Sequence, residues 1–377
     1  MKISPALLLQ YGHSLNHMYF LFVLFAAFIM AGAGNVWADD TEAQGELIKL
    51  EGLGGGAAIS ADGSTVVGVS RFDNDADTSP HAFRWTVDGG IQDLGHLGGY
   101  YYSAANGVSA DGSVVVGDTS VAGYCCPHAF RWTISDGMQN LGTLGGRISR
   151  AWAVSADGNV VVGGSGIGNT AYSHAFRWTA KDGMRDLGTL GGKDSWATGV
   201  SADGGVVVGV STTAGEIRHA FRWTAKDGMR DLGTLGEMDS YASAVSADGG
   251  VVVGWSSNFS GIHHAFRWTA KDGMKDLGTL GDAADSSEAH AVSTDGSVVV
   301  GRSHINRRSY AFRWTDTIKM QSITGWLTTT GITLPADIVL SYALSVCADG
   351  SVMVGDDANL WLVRIPSAAR SAKSKGK

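Results

Sequence analysis

Short apolar runs recur along the chain, and glycine, aspartate or serine bounds each of them. Four such runs follow one another between residues 150 and 192, where Asp157-Gly158 and Asp182-Gly183 separate them in pairs. Apolar runs of this length are typical of β-strands. Asp-Gly between two runs favours a tight hairpin, because glycine adopts positive φ without a steric penalty. The pattern predicts four antiparallel strands, A (Ala151–Ser155), B (Val160–Gly163), C (His174–Thr179) and D (Met184–Leu190).

This four-strand unit occurs seven times. Ser-x-Asp-Gly recurs with its aspartate at positions 62, 111, 157, 203, 248, 295 and 349, and cysteine replaces serine in the last copy. Five of the units carry His-Ala-Phe-Arg-Trp in strand C, starting at His81, His128, His174, His219 and His264. Two hairpins in a repeat of about 46 residues correspond to one blade of a β-propeller.

The seventh unit lacks a D strand, whereas a lone D-like segment, Leu47–Leu53, precedes the first A strand. This segment can complete the last blade, which predicts an all-β fold, a β-propeller of seven four-stranded blades closed by the N-terminal strand. Closure leaves no free sheet edge. A β-solenoid is the alternative fold, although parallel coils would not need two Asp-Gly hairpins in each repeat. The sixth unit departs from the pattern, because an insertion at Gly325–Leu340 can hold a short helix.

Both ends of the chain differ from the repeats. Residues 1–38 contain an uncharged apolar run, Met18–Ala33, followed by Val36-Trp37-Ala38. A short apolar run before small residues is typical of a secretory signal peptide, here cleaved after Ala38, and an uncleaved N-terminal anchor is the alternative. Residues 39–366 then form one propeller domain, and residues 367–377 form a basic tail. The mature chain has no predicted membrane span, so we expect a secreted, periplasmic or extracellular protein.

Composition narrows the function classes. The chain has 377 residues, 54 of them glycine, and only 17% are charged. Its 44% hydrophobic residues suffice for a buried core and exclude a disordered chain. The net charge of −8 argues against a nucleic-acid partner, since such binding depends on a basic surface. The three cysteines, Cys125, Cys126 and Cys347, do not form a disulfide framework.

The copies of His-Ala-Phe-Arg-Trp-Thr, alternating with Ser-Ala-Asp-Gly and Asp-Leu-Gly-Thr-Leu-Gly-Gly, resemble the bacterial extracellular HAF-repeat family. The resemblance covers about residues 47–365. It implies an exported repeat protein, and it implies no particular activity, cofactor or catalytic residue. Some members of that family carry a C-terminal barrel or sorting tail, and neither is predicted from these residues.

Two metal hypotheses follow from the residues. The five strand-C histidines belong to five different blades, so we expect each to bond within its own blade and not to converge on zinc, which needs ligands around one point. We expect the neighbouring arginine to pair with the strand-D acid, as in Arg177 with Asp186. Asp73, Asp75 and Asp77 alternate as at the start of a calcium loop. The loop lacks the glycine and the final glutamate of such loops, so a solvated acidic loop is the favoured interpretation and no cofactor is predicted.

No GxSxG, HExxH or P-loop motif is present. The sequence therefore favours a secreted, non-enzymatic repeat protein, a binding or surface-interaction propeller. A carbohydrate-active propeller enzyme, a glycan hydrolase or lyase, is the alternative, and enzyme activity is left open. Binding residues concentrate on variable loops held by a rigid scaffold. We expect a glycan or protein ligand at the face that carries the B–C loops, on the aromatic residues near the start of strand A: Tyr100, Tyr101, Tyr102, Trp196 and Tyr241.

Overall fold

The structure is a computed structural model that describes residues 46–50, 55, 58–72, 79–98, 102–122, 126–330, 332, 334, 340–357 and 360–365. The predicted signal peptide, residues 1–38, and the basic tail, residues 367–377, lie outside the described residues. Structural statements below concern the described part of the chain.

Twenty-eight strands of the described residues form seven four-stranded antiparallel sheets around a common axis. Blade 1 contains β2 (Ala58–Ile59), β3 (Thr65–Ser70), β4 (His81–Thr86) and β5 (Gly90–Asp93). Blade 2 contains β6 (Ser103–Val108), β7 (Val114–Thr119), β8 (His128–Thr133) and β9 (Gly137–Asn140). Blade 3 contains β10 (Gly145–Val154), β11 (Val160–Ile167), β12 (Ser173–Thr179) and β13 (Gly183–Asp186).

The second half of the chain repeats the same order. Blade 4 contains β14 (Gly191–Val200), β15 (Val206–Thr213), β16 (Arg218–Thr224) and β17 (Gly228–Asp231). Blade 5 contains β18 (Ser240–Val245), β19 (Val251–Ser257), β20 (His263–Thr269) and β21 (Gly273–Asp276). Blade 6 contains β22 (Ser286–Val292), β23 (Val298–Ile305), β24 (Arg308–Thr315) and β25 (Lys319–Ser322). Blade 7 contains β26 (Tyr342–Val346), β27 (Val352–Asp356), β28 (Leu360–Arg364) and the N-terminal strand β1 (Glu46–Leu50).

The N-terminal strand closes the ring. Residues Glu46 to Leu50 of β1 pair antiparallel with Arg364 to Leu360 of β28, so β1 is the outer strand of blade 7. This confirms the predicted seven-bladed propeller. The strands in every blade run antiparallel to their neighbours, so the solenoid alternative is wrong.

The A–B turns of the seven blades are joined by a second closed circle, the turn ring. In each of these turns the residue before the aspartate donates its N–H to the carbonyl oxygen of the equivalent residue in the next blade, at 2.8–3.1 Å. The ring runs through Ala61, Ala110, Ala156, Ala202, Ala247, Thr294 and Ala348 and returns to Ala61. Seven such bonds can form a closed circle only if the A–B turns surround the propeller axis. Strand A, which leads into this turn, is therefore the innermost strand of each blade.

The core lies between blades and is built from the repeated phenylalanines. Phe176 of β12 is fully buried, and it packs with Val114 and Val116 of blade 2 and with Val161 of its own blade. The inner strands approach closely, since a Cβ on Gly163 would lie 1.9 Å from the carbonyl oxygen of Arg150. This close backbone contact leaves no room for a side chain, which explains the glycine in the middle of strand B.

The predicted helix in the sixth unit is present but begins earlier than expected. Helix α1 spans Ile323–Thr329, and the hydroxyl of Ser322 caps it by accepting the N–H of Gly325. Ile323 and Leu327 are fully buried in the core beside blades 6 and 7. Among the residues described, no helix is long and apolar enough to cross a membrane.

The two ends of the propeller differ because each blade is a meander. The A–B and C–D turns of every blade lie at one end, here called the turn face. The B–C loops and the D–A connections lie at the other end, here called the loop face. The turn face repeats nearly the same Asp-Gly turns, whereas the loops of the loop face differ from blade to blade.

Candidate functional site

A cavity of about 280 Å³ opens between blades 4 and 5 near the loop face. Three aromatic, one aliphatic and three polar residues line it. The lining residues are Trp196, Val210, Arg218, Asp239, Ser240, Tyr241 and Trp255. The walls are thus suited to an apolar group, and the polar residues can fix its orientation.

Strand register places the aromatic side chains. Trp196 lies in β14, and its indole rests where Gly164 of blade 3 has no side chain: a Cβ there would lie 2.5 Å from Cδ1 of Trp196. Tyr241 of β18 pairs directly with Trp255 of β19. The rings of Tyr241 and Trp255 are stacked with their centroids 5.8 Å apart and their planes 2° apart. Neighbouring strands therefore hold these aromatic groups in fixed positions.

Polar groups line one edge of the cavity. Asp239 accepts the backbone N–H of Arg218 at 3.2 Å, which joins the first residue of β16 in blade 4 to the connection that enters blade 5. Burial raises the pKa of Tyr241, and the nearby positive charge of Arg218 lowers it in part. Arg218 is exposed, and its guanidinium has no hydrogen-bond or ion-pair partner among the described residues. The edge therefore offers a free cation beside the aromatic walls.

An ionic cluster continues from the aromatic row. His263 stacks on Trp255 with ring centroids 4.0 Å apart, and its Nδ1 lies 3.9 Å from Oε1 of Glu288. Arg302 donates Nε–H and Nη2–H to the two carboxylate oxygens of Glu288, at 3.1 and 3.0 Å. The Arg302 guanidinium also lies over the Tyr342 ring, 5.0 Å from its centroid. Contacts thus run without a break from blade 5 to blade 7.

Glu288 is ionised in this cluster. Burial of its side chain raises the pKa of Glu288, but the close approach of His290, whose Nε2 lies 3.7 Å from the carboxylate, and the hydrogen bonds and charge of Arg302 outweigh burial and hold the pKa at about 2. His290 donates from Nδ1 to the carbonyl oxygen of Ala343 at 2.9 Å, because a carbonyl can only accept. Glu288 is therefore a fixed anion and does not have the raised pKa that a general acid needs.

A separate group lies at blades 2 and 3. Asp118 is buried, and burial raises the pKa of Asp118 although Arg150 and Asn106 lower it. Nε of Arg150 lies 3.7 Å from the Asp118 carboxylate, and the Asn106 amide donates to it at 3.2 Å. The pKa of Tyr102 is raised by burial and by the charge of Asp118. Asp118 is therefore a buried carboxyl with a raised pKa that lies near a tyrosine and an arginine.

The sequence-predicted binding residues do not all meet. Trp196 and Tyr241 line the same cavity, and both lie within strand A and not in a loop. Tyr102 is half-buried beside Asp118 and does not line this cavity. Tyr100 and Tyr101 lie outside the described residues. Their role in ligand binding stays a prediction.

The calcium hypothesis rests on Asp73, Asp75 and Asp77, which also lie outside the described residues. In the part of the chain that the structure describes, no group of three or more histidine, cysteine, aspartate or glutamate side chains is placed to hold a metal ion.

The predicted partner of the repeated arginine needs correction. Each strand-C histidine bonds within its own blade, as predicted, and it is this histidine, not the arginine, that contacts the strand-D side chain. Nδ1 of His174 lies 2.8 Å from Asp186, and three other blades repeat the pair. Arg177 instead reaches the carbonyl oxygen of Gly204 in the next blade, at 3.1 Å. Neighbouring blades are offset, so the arginine side chain crosses the interface and reaches the next blade. The spacing of residues within one repeat does not reveal this offset.

Sequence reasoning missed Trp255 and Arg218 as site residues. A strand B that ends at its glycine, as predicted at Gly163, leaves Trp255 in the following loop, whereas the strand continues to Ser257 and places this indole opposite Tyr241. In the other blades the residue after the strand-B glycine is valine, aspartate, glycine or arginine. The aromatic residue at this position in blade 5 was the sequence feature that could have indicated a site residue.

No protein-family model and no curated protein sequence matches the chain. Solved structures do match. An oligogalacturonate lyase from Vibrio parahaemolyticus aligns with a TM-score of 0.51 at 11% identity, over 86% of this chain and 100% of that chain. The β-propeller domain of Cps50 (Swd1) from Myceliophteria thermophila aligns with a TM-score of 0.50 at 8% identity, over 85% of this chain and 100% of that one.

TolB from Acinetobacter baumannii aligns with a TM-score of 0.46 at 15% identity, over 71% of this chain. The aligned part is 63% of TolB, so the chain spans less than two thirds of that protein's length. At these identities the likenesses concern the fold alone. The alignment with the Cps50 β-propeller domain agrees with an all-β propeller fold.

Proposed function

We propose that the protein is an exported, non-enzymatic binding propeller that holds a glycan or protein ligand at its loop face. The observation that carries the proposal is the aromatic cavity between blades 4 and 5, where Trp196, Tyr241 and Trp255 are held by paired strands. Tryptophan, tyrosine and arginine dominate binding energy at protein interfaces, and rigid aromatic side chains lose little entropy on binding. The apolar run before Ala38 and the resemblance to extracellular HAF-repeat proteins support export.

The binding test compares the two faces of the propeller. A panel of neutral and acidic oligosaccharides and a displayed peptide library are probed against the full chain. We expect Trp255→Ala and Tyr241→Ala to weaken binding of any selected probe at least tenfold, since each removes a wall of the cavity. Lys181→Ala and Lys226→Ala, at C–D turns of the turn face, are the controls. Loss of binding in the lysine variants alone would reject the loop face as the site.

Export is tested separately by intact-mass measurement of the protein recovered outside the cytoplasm. We expect that chain to begin at Asp39. A recovered chain that retains Lys2 would contradict cleavage after Ala38.

A glycan hydrolase or lyase is the second candidate, and Asp118 is the observation that favours it. Burial raises the pKa of this carboxyl, as a general acid requires, and Tyr102 and Arg150 lie beside it. The test is release of reducing ends from the same oligosaccharide panel. Activity that Asp118→Asn abolishes would establish an enzyme and overturn the non-enzymatic proposal.

A further inference from the structure

Three large apolar side chains project into solvent beside the cavity. Phe259 of the B–C loop in blade 5 is 84% exposed, Met238 of the connection into blade 5 is 51% exposed, and Ile217 of the B–C loop in blade 4 is 41% exposed. We call Ile217, Met238 and Phe259 the apolar rim. Exposed residues of this size on a soluble protein mark an interaction site when they cluster.

The rim and the cavity form one surface, because the loops that carry them touch. Ile217 immediately precedes Arg218, and Met238 immediately precedes Asp239; the Arg218 N–H bonds to the Asp239 carboxylate at 3.2 Å. The loop of Phe259 packs against the same connection, since a Cβ on Gly236 would lie 2.4 Å from the Phe259 nitrogen.

The size of the cavity limits what enters it. Pockets that enclose a whole small ligand measure about 300–1,000 Å³, so a cavity of about 280 Å³ accommodates one side chain or one sugar ring. The rest of the contact area between the ligand and the protein must then come from the apolar rim. Isoleucine, methionine and phenylalanine gain free energy by burial against apolar groups, which a hydroxyl-covered glycan chain offers sparsely. Aromatic residues, methionine and arginine are enriched at protein interfaces, and this surface carries all of these.

Charge adds a second constraint. The exposed guanidinium of Arg218 lies at the cavity edge, and Asp239 is already engaged by a backbone N–H. An arginine in this setting favours a carboxylate on the partner, because the planar guanidinium binds two carboxylate oxygens at once.

We propose that the rim and the cavity together form a docking surface for a protein segment that inserts one large apolar side chain among Trp196, Tyr241 and Trp255. The segment places an aspartate or glutamate beside Arg218. This inference rests on the proposed function, since it names the partner of the same site.

The test uses a random twelve-residue peptide library displayed on phage and selected on the immobilised full chain. Counter-selection on the Trp255→Ala chain removes peptides that bind elsewhere. We expect the selected peptides to share one aromatic or large aliphatic residue within a few positions of aspartate or glutamate. A synthetic copy of a selected peptide is then titrated and followed by tryptophan fluorescence, because two indoles line the cavity.

Variants separate the parts of the surface. We expect Phe259→Ser and Met238→Ser each to weaken the peptide about tenfold, which corresponds to about 1.4 kcal/mol. Arg218→Gln should weaken it similarly and remove most of its salt dependence. Ile134→Ser is the matched control, because Ile134 is 82% exposed in a C–D turn of the turn face. This control should leave the affinity unchanged.

The outcomes distinguish the inference from the proposed function. An oligosaccharide that binds the full chain, loses affinity in Trp255→Ala and keeps it in Phe259→Ser would overturn the protein partner and leave a binding propeller. Selected peptides without an acidic residue would overturn the carboxylate contact. Failure of every peptide and oligosaccharide to bind in a way that depends on Trp255 would overturn both.

Discussion

Arg177 of blade 3 donates its Nε–H to the carbonyl oxygen of Gly204, in the A–B turn of blade 4, at 3.1 Å. Four other blades repeat this bond at 2.9–3.3 Å. The repeated arginine therefore fastens strand C of one blade to the innermost turn of the next. It holds neighbouring blades together and is not the within-blade ion pair that the sequence suggested.

Arg177→Met should consequently destabilise the propeller. A hydrogen bond from a charged group contributes roughly 1.5–3 kcal/mol when partly shielded from water, so we expect a loss of about 2 kcal/mol in urea unfolding. Arg185→Met is the matched control, since Arg185 pairs across the strands with Arg177 but its side chain is 66% exposed. Its ion pair with Asp182 lies at the surface and should contribute little. Equal losses in the two variants would contradict the inter-blade role.

The strands and the ring closure were predictable because their signals are local. An Asp-Gly pair fixes a turn by the conformation of its own residues, and seven copies leave one strand to be supplied by Leu47–Leu53. The partner of Arg177 was not predictable, because it depends on how one blade is offset from the next. The fold follows from patterns within a repeat, whereas contacts between repeats require the structure.

Ring closure by β1 can be tested by truncation. A chain that begins after Leu50 lacks the strand paired with β28, which leaves blade 7 with an open edge. We expect this chain to aggregate or to unfold without a single cooperative transition. A chain that begins at Glu46 keeps the strand and is the control. The same melting curve for both chains would show that β1 does not close the ring.

Two turn glycines should respond differently to alanine. Gly158 and Gly183 both have positive φ, +72° and +68°. A Cβ on Gly183 meets nothing within 4 Å, so Gly183→Ala should cost about 1 kcal/mol from backbone strain alone. A Cβ on Gly158 would lie 2.4 Å from Cγ2 of Val114 in blade 2, so Gly158→Ala should cost distinctly more. Urea unfolding measures both, with Lys181→Ala as the unaffected control; an equal cost at both glycines would contradict the contact.

Blade 6 offers the reverse experiment. Lys319 occupies the turn position that Gly183 has in blade 3, and its φ is +66°. Its ion pair with Asp316, at 2.8 Å, is exposed and contributes little. We therefore expect Lys319→Gly to raise the free energy of unfolding by about 0.5–1 kcal/mol. A lower stability would mean that the lysine contacts outweigh the backbone strain.

The turn carboxylates predict loss of stability in acid. The Ser109 hydroxyl and the N–H and hydroxyl of Ser113 hydrogen-bond Asp111 and hold the pKa of Asp111 at about 2. Serine hydroxyls likewise lower the pKa of Asp157, Asp203 and Asp248. An unfolded aspartate titrates near pH 3.9. The folded pKa lies below this value, so the contribution is fully present above about pH 4 and is lost as the pH falls towards 2.

Asp111→Asn tests this contribution because asparagine has a similar shape and does not titrate. We expect the variant to be less stable than the natural chain at pH 7, and the difference to shrink by pH 2.5. Urea unfolding at both values provides the measurement. A difference that does not change with pH would show that the Asp111 charge contributes nothing to folding.

The candidate site was only partly predictable. Trp196 and Tyr241 stand out as aromatic residues at the start of strand A, and they share a cavity. The sequence pattern ends strand B at its glycine, which leaves Trp255 in the loop that follows. The strand continues because its backbone pairs on both sides, with Tyr241 and with Ala265. Where a strand ends depends on its neighbours, so the third wall of the cavity appears only once the blade is assembled.

The turn ring also determines how the molecule can change by duplication. Each residue of the ring donates to one neighbour and accepts from the other, so all seven donors and acceptors are used by the circle itself. Adding an eighth repeat would require one of these hydrogen bonds to break and two new ones to form. The other six would have to adjust to a wider circle. A solenoid grows by adding units at an end, but this circle has no end. Its freedom to diversify therefore lies outside the A–B turns, above all in the B–C loops of the loop face, where a changed loop leaves the circle intact.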